Sequence, residues 1–275
     1  VPDISITLNG RVLTQWEGLQ VVRSIDSAAD AFSFSAPWKD TPENRATFAP
    51  YSPGVISIKY GQTEILRGYA EVIEAGIAGE NKINIQGRSA SGVLVDWSAG
   101  PPFEFIGMTF NQIADQIAKP YSVTASPDTD LIDIAEIEVG QTVYSFLSKI
   151  ASSHNLWAQP RPNGALVFAR LNSARASVAY LEQGRTPVTA ISTKHDSTKR
   201  FNKYITIMST WGPEQLGEAI DSGVAPNIRG TKIVQIQQVA DEIINAANFA
   251  RARGLLDSYT VTATVTGWEV DGVMF

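Results

Sequence analysis

The chain has 275 residues, 44% hydrophobic and 18% charged, with 22 Lys and Arg against 28 Asp and Glu for a formal net charge of −6. An acidic, well-mixed chain of this length can hold a large core in two or three modules and lacks the basic stripe of a nucleic-acid groove. It contains no cysteine and two histidines, which excludes disulfides, thiolate catalysis and cysteine-based zinc sites and leaves little to hold a transition metal.

The opening, VPDISITLNG, has no basic segment followed by an apolar run, so no secretion signal is expected there. No apolar run approaches a membrane span, so no stable membrane insertion is expected. The first hundred residues read as half-buried strands of period two. ISITL alternates Ile4, Ile6 and Leu8 with polar residues, FSFSA alternates Phe32 and Phe34 with serines, VISIKY aligns Ile56, Ile58 and Tyr60, and KINIQ aligns Ile83 and Ile85. Asn9-Gly10 signals a hairpin, and GIAGEN at 76–81 links two further strands. Together these predict a small antiparallel barrel or sandwich.

Gly100-Pro101-Pro102 breaks the pattern, and a helix follows. Thr109 and Gln112 form a capping box ahead of an apolar face of Phe110, Ile113, Ala114 and Ile117. Pro120 stops that helix and YSVTA reads as a strand. A second helix begins near Thr142, with Val143, Phe146, Leu147 and Ile150 on one face, and ends near His154-Asn155. LWAQPRPNGALVFAR then predicts a hairpin turning at Asn163-Gly164. From about 172 the strand pattern returns in ITIMS and YTVTATVTGW. Between these lies one helix at about 237–256, with Val239, Ile243, Ala246, Ala247 and Ala250 inward and Gly254 as its C-cap. The polar stretch 211–230 reads as a long loop, either a docking element or a plain surface loop.

INIQGRSASGVLVDWSAG, at 83–100, invites a catalytic reading. A nucleophile elbow needs glycine two residues after the serine, where Ser91 stands after Ser89. A phosphate loop needs Lys and Ser or Thr where Val93 and Leu94 stand after the Gly87–Gly92 spacing. Neither chemistry is supported. Asp128, Asp130 and Asp133 lack the loop glycine and distal Glu of a calcium site. His154 suits a helix end, where a cation complements the dipole, and His195 sits in the polar run STKHDSTKR. The six tryptophans read as core anchors or interface plugs rather than a carbohydrate face.

In order along the chain, I-x-G-R-S-x-S-x-x-L-V-D-W-S, F-x-F-x-G-M-T-F-N-Q-I-A, Y-S-F-L-S-K-I-A-S-S-H-N-L, N-G-A-L-V-F-A-R, A-x-x-x-A-R-A-R-G and V-T-G-W resemble the baseplate hub proteins of Mu-like phages. That family is related in fold to other contractile-tail hubs and to the N-terminal part of type VI secretion spike proteins. The resemblance implies a β-rich α+β fold: a first tube-like β-barrel domain at 1–99, an α+β insert at 100–171, and a second β-barrel domain with one long helix at 172–275. Such hubs continue past the G-W strand, so a chain stopping at Phe275 is expected to be a truncated or short member.

The resemblance further implies a non-enzymatic homotrimeric ring in a phage or prophage tail baseplate, assembled in the bacterial host cytoplasm. The ring joins the tail tube protein above to the spike protein below, contacts other baseplate proteins, and passes DNA without binding it specifically. The alternatives are a carbohydrate-binding or peptidoglycan-hydrolysing tail component, or the hub of a secretion or pyocin particle. No catalytic residue, metal or cofactor is expected. Gly87, Arg88, Ser89, Asp96 and Trp97 are implied to be architecture. Gly87 is a strand-end or bulge glycine, and Trp97 plugs the barrel end. Arg88 and Asp96 either pair or satisfy backbone groups.

Overall fold

The structure is a computed structural model that describes residues 4–39, 41–49, 54–75, 81–171, 180–208, 215–236, 243–270 and 273–274. The chain is β-rich α+β and divides into two compact units. Unit 1 comprises Val1–Ser152 with Leu156–Arg170, and unit 2 comprises Ser153–Asn155 with Leu171–Phe275.

Unit 1 begins with β1 (Ile4–Leu8), β2 (Arg11–Leu13), β3 (Glu17–Val22), β4 (Ala31–Pro37), α1 (Pro42–Thr47), β5 (Gly54–Tyr60), β6 (Thr63–Ala75) and β7 (Lys82–Ser89). The strands form one curled antiparallel sheet in the order β2-β1-β5-β6-β7-β4-β3. Period two sets its inner face, where Ile6, Leu8, Phe32, Phe34, Ile56, Ile58, Ile83 and Ile85 are buried. Asn9 and Gly10, with φ of 50° and 78°, make the β1–β2 turn, a conformation that Asn and Gly tolerate best. The six-residue α1, capped by Thr41, was not legible as a helix.

The rest of unit 1 contains α2 (Val93–Asp96), β8 (Glu104–Met108), α3 (Phe110–Ile117), β9 (Val123–Ser126), β10 (Ile132–Glu136), α4 (Val143–Ser153), β11 (Trp157–Pro160) and β12 (Leu166–Ala169). The ladders are β10-β8 and β11-β12-β9, with β12 parallel to β9. The faces read from the sequence meet in one core: Phe110, Ile113 and Ala114 from α3 join Val143, Phe146, Leu147 and Ile150 from α4. Leu94 and Ala99 belong to the same cluster, so this core starts before residue 100. The capping box of α3 is complete, with Gln112 N–H donating to Thr109 Oγ1 and Thr109 N–H to the Gln112 side chain. α4 closes with Asn155 at φ 57° and Leu156 N–H on the Ala151 carbonyl, a left-handed helix stop.

Unit 2 contains β13 (Val188–His195), β14 (Lys203–Met208), β15 (Gln215–Ile220), β16 (Thr231–Ile236), α5 (Ile243–Ser258), β17 (Tyr259–Val265), β18 (Glu269–Val270) and β19 (Val273–Met274). β13 and β17 form an antiparallel ribbon, and β15-β14-β16 a mixed sheet. α5 lies against that sheet, with Ala246 and Ala247 buried. Two expectations are corrected here. Gly254 is no C-cap, because α5 runs on to Ser258. A Cβ at Gly254 would run into the Tyr204 hydroxyl, so close packing selects glycine. The stretch 211–230 is not one loop, because Gln215–Ile220 is the strand β15. Val239, expected in the helix, lies outside the described residues, as does Trp211.

Candidate functional site

The end of β7 carries the residues singled out from the sequence. Gly87 pairs with Phe32 on β4 and with Ala70 on β6. A Cβ there would run into the Tyr69 carbonyl oxygen and come within 2.7 Å of the Phe32 ring, so the strand needs glycine for close approach. The register of β6 slips between Ala70 and Val72, which makes Glu71 a bulge residue opposite Gly87.

That bulge supplies a partner which the sequence does not announce. Arg88 Nε and Nη2 donate to the two oxygens of Glu71 at 2.7 and 2.8 Å, and Nη2 also donates to Asp96 Oδ2 at 2.5 Å. Nη1 reaches the Gly92 carbonyl at 3.3 Å. Arg88 therefore both pairs with Asp96 and satisfies a backbone carbonyl. The forked contact to Glu71 is the strong element of this set. Hydrogen bonding by Glu71, and then by Asp96, holds the guanidinium above its ordinary pKa. All three charges are spent on each other, which binds the end of β7 to β6 and to α2.

Ser89 is buried, and its Oγ accepts the Asp30 N–H at 3.0 Å and lies 3.2 Å from Ser91 Oγ. Its own N–H donates to the Asp30 carbonyl. These contacts make Ser89 a strand clasp and bring no general base to its hydroxyl. The Asp30 side chain is buried beside Arg23 Nε at 3.3 Å. Burial raises its pKa, and the Arg23 charge opposes that rise.

Trp97 is 41% exposed and packs edge-on against Tyr121, with ring centroids 5.4 Å apart. Burial and then a hydrogen bond to Tyr69 push the Tyr121 hydroxyl up to about 12. Tyr69 stands beside Arg88 in the β6–β7 register. The Tyr69–Tyr121 contact thus ties the seven-stranded sheet to the helical part of unit 1 next to the ionic cluster.

The remaining candidates have local roles. Asp128 Oδ1 accepts the Asn111 and Thr129 N–H groups, so this residue caps the start of α3. His154 follows the last residue of α4 and is buried. His195 packs against Tyr259 with the rings tilted and their centroids 4.7 Å apart. Of the tryptophans, Trp157 is a core anchor, 1% exposed. Among the described residues no group of three or more His, Cys, Asp or Glu side chains is placed to hold a metal ion, and no helix is long and apolar enough to cross a membrane.

Comparison with known proteins agrees with this architecture. Residues 91–170 match the family described as baseplate hub protein gp44-like, second domain. The chain is 24% identical over 291 residues to the baseplate hub protein gp44 of Escherichia phage Mu, covering 96% of this chain and 74% of that protein. Its fold matches the 43 kDa tail protein of prophage MuSo2 from Shewanella oneidensis, with TM-score 0.80, 22% identity, and coverage of 100% of this chain and 86% of that one. It also matches the tail protein from Neisseria meningitidis MC58, with TM-score 0.80, 22% identity, and coverage of 99% and 83%.

Proposed function

We propose, on the premise that this chain is a baseplate-hub-like phage tail protein, that it is a non-enzymatic subunit of a homotrimeric ring. The ring joins the tail tube protein above to the spike protein below. One observation carries the reading. Unit 2 leaves Leu216, Ile220, Ile233, Leu256 and Val261 each close to half exposed or more. On the β15-β14-β16 sheet the α5 side is closed. The other side sets Leu216 across from Ile207, and Ile205 across from Ile233. Exposed apolar faces of this extent mark surfaces that association covers.

An obligate interface of about 2,000 Å² or more in total is expected to cover them. The proposal keeps three modules, with a tube-like barrel at 1–99, an insert at 100–171 and a second barrel at 172–275. Copies of the chain complete what each barrel lacks. DNA passes through a lumen that is neutral to negative, because a basic lining would hold the duplex by releasing its counterions. Assembly takes place in the bacterial host cytoplasm, and the product resides in the virion baseplate. Class averages of the purified chain in negative stain test the reading. Threefold rings are expected, and single compact particles would overturn it.

A further inference from the structure

Unit 2 holds a cleft of about 490 Å³ between the turns after β15 and the end of α5. Residues 221–230 form one wall, and backbone contacts hold them in place. Asn202 Nδ2 donates to the Asp221 and Val224 carbonyls at 3.2 and 2.7 Å. Asn202 N–H donates to the Arg229 carbonyl, and Ile228 and Arg229 both donate to Ala225. The wall presents Val224, Ala225 and Ile228 across from Leu255, and the paired rings of His195 and Tyr259 also line the cleft.

Two arginines line this apolar cleft. Arg200 is neutralised, with Nε and Nη2 on the two Asp221 oxygens at 2.5 and 2.7 Å. Arg229 makes no side-chain hydrogen bond or ion pair among the described residues, and no carboxylate lines the cleft. An uncompensated cation beside apolar walls, on a chain of net charge −6, matches an anion joined to an apolar group. Ile228, at 72% exposed, leaves the cleft open on one side, as a chain segment requires. At about 490 Å³ the volume suits two or three side chains and not the broad face of a second subunit.

From this geometry we infer that the cleft docks a short segment of another tail protein, one that places a Glu or Asp carboxylate on Arg229 and the neighbouring aromatic or aliphatic side chain against Ile228 and Leu255. The inference rests on the hub reading and names the chemistry of one partner. The test is an array of synthetic decapeptides, each with a central Glu or Asp beside Phe, Tyr, Leu or Ile, matched to Gln and Asn versions and probed with the labelled full-length chain. Acidic versions are expected to bind at least tenfold better than their amides. Arg229→Gln, which leaves the backbone contacts intact, is expected to erase that preference, and Ile228→Ser to weaken all binding. Equal binding of acid and amide versions, or an acid preference that survives Arg229→Gln, would overturn the inference. So would protection of the cleft that rises with protein concentration alone, since the occupant is then a second copy. Threefold rings with an unresponsive cleft would sink this inference and leave the hub reading standing.

Discussion

The two units of this chain solve the burial problem differently. Among the described residues, eleven of the twelve largest fully buried side chains, including Trp157, Phe110, Phe146 and Phe168, lie in unit 1, and only Tyr204 lies in unit 2. Unit 1 therefore encloses a core of large apolar groups within one chain, although side chains such as Ile106 and Val139 stay exposed on it. Unit 2 builds strands and a 16-residue helix around small residues such as Ala246 and Ala247, and leaves its larger apolar groups on the surface. The hydrophobic term scales with area removed from water, so unit 1 is expected to carry the stability of the isolated chain. Unit 2 is expected to gain its share on assembly.

A core truncation sharpens the contrast most. Phe110→Ala should cost unit 1 about 3–5 kcal/mol in urea unfolding, the range for a large buried aromatic. Leu216→Ser at the surface of unit 2 should move the same midpoint by less than about 0.5 kcal/mol. Equal losses would break the comparison. Gly87→Ala comes next. Its Cβ has no room between the Tyr69 carbonyl and the Phe32 ring, so about 3 kcal/mol is expected, at the upper end for overpacking. Near-neutral unfolding would show that the strands can part there. Arg88→Ala removes the fork on Glu71 and the contact to Asp96. Its side chain is 31% exposed, so about 1–2 kcal/mol is expected after discounting for solvent. Glu71→Gln should cost less than Arg88→Ala, because it leaves Asp96 paired.

The smallest effects separate the two Arg–Asp pairs. The carboxyl pKa of Asp221 is lowered by the forked Arg200 hydrogen bonds, so its contribution is present above the unfolded value of about 3.9 and fades as pH falls through the lower folded value. Asp30 is raised by burial, so its contribution is full below about 3.9 and lost as pH rises through the higher folded value. At pH 7 Asp221→Asn should therefore destabilise the chain more than Asp30→Asn, despite the deeper burial of Asp30. As pH falls below about 4 toward the lower folded value, the deficit of Asp221→Asn should shrink. Urea midpoints across this range read both slopes, and parallel slopes would refute the assignment.

The elements that sequence showed best are those whose pattern is local. The period-two strands β1, β4, β5 and β7, the capped helix α3 and the apolar face of α4 all carry their burial signal within one element. What it hid depends on distant backbone. Glu71 becomes the partner of Arg88 only because a bulge in β6 turns it there. Gly254 looked like a stop signal because the Tyr204 ring that selects it lies fifty residues earlier in the chain. At the candidate site, Gly87, Arg88, Ser89 and Asp96 were legible as a group, and the Tyr69–Tyr121 bond that joins them to the insert was not.

The central claim is that unit 2 is completed by other copies of the chain. Sedimentation velocity of the wild-type chain and of Leu216→Ser with Ile233→Ser, at micromolar concentration, tests it most directly. The account predicts three chain masses for the wild type and a shift toward one for the double variant, with unchanged circular dichroism. A wild-type monomer whose unit 2 amides are as protected from hydrogen exchange as those of unit 1 would contradict it.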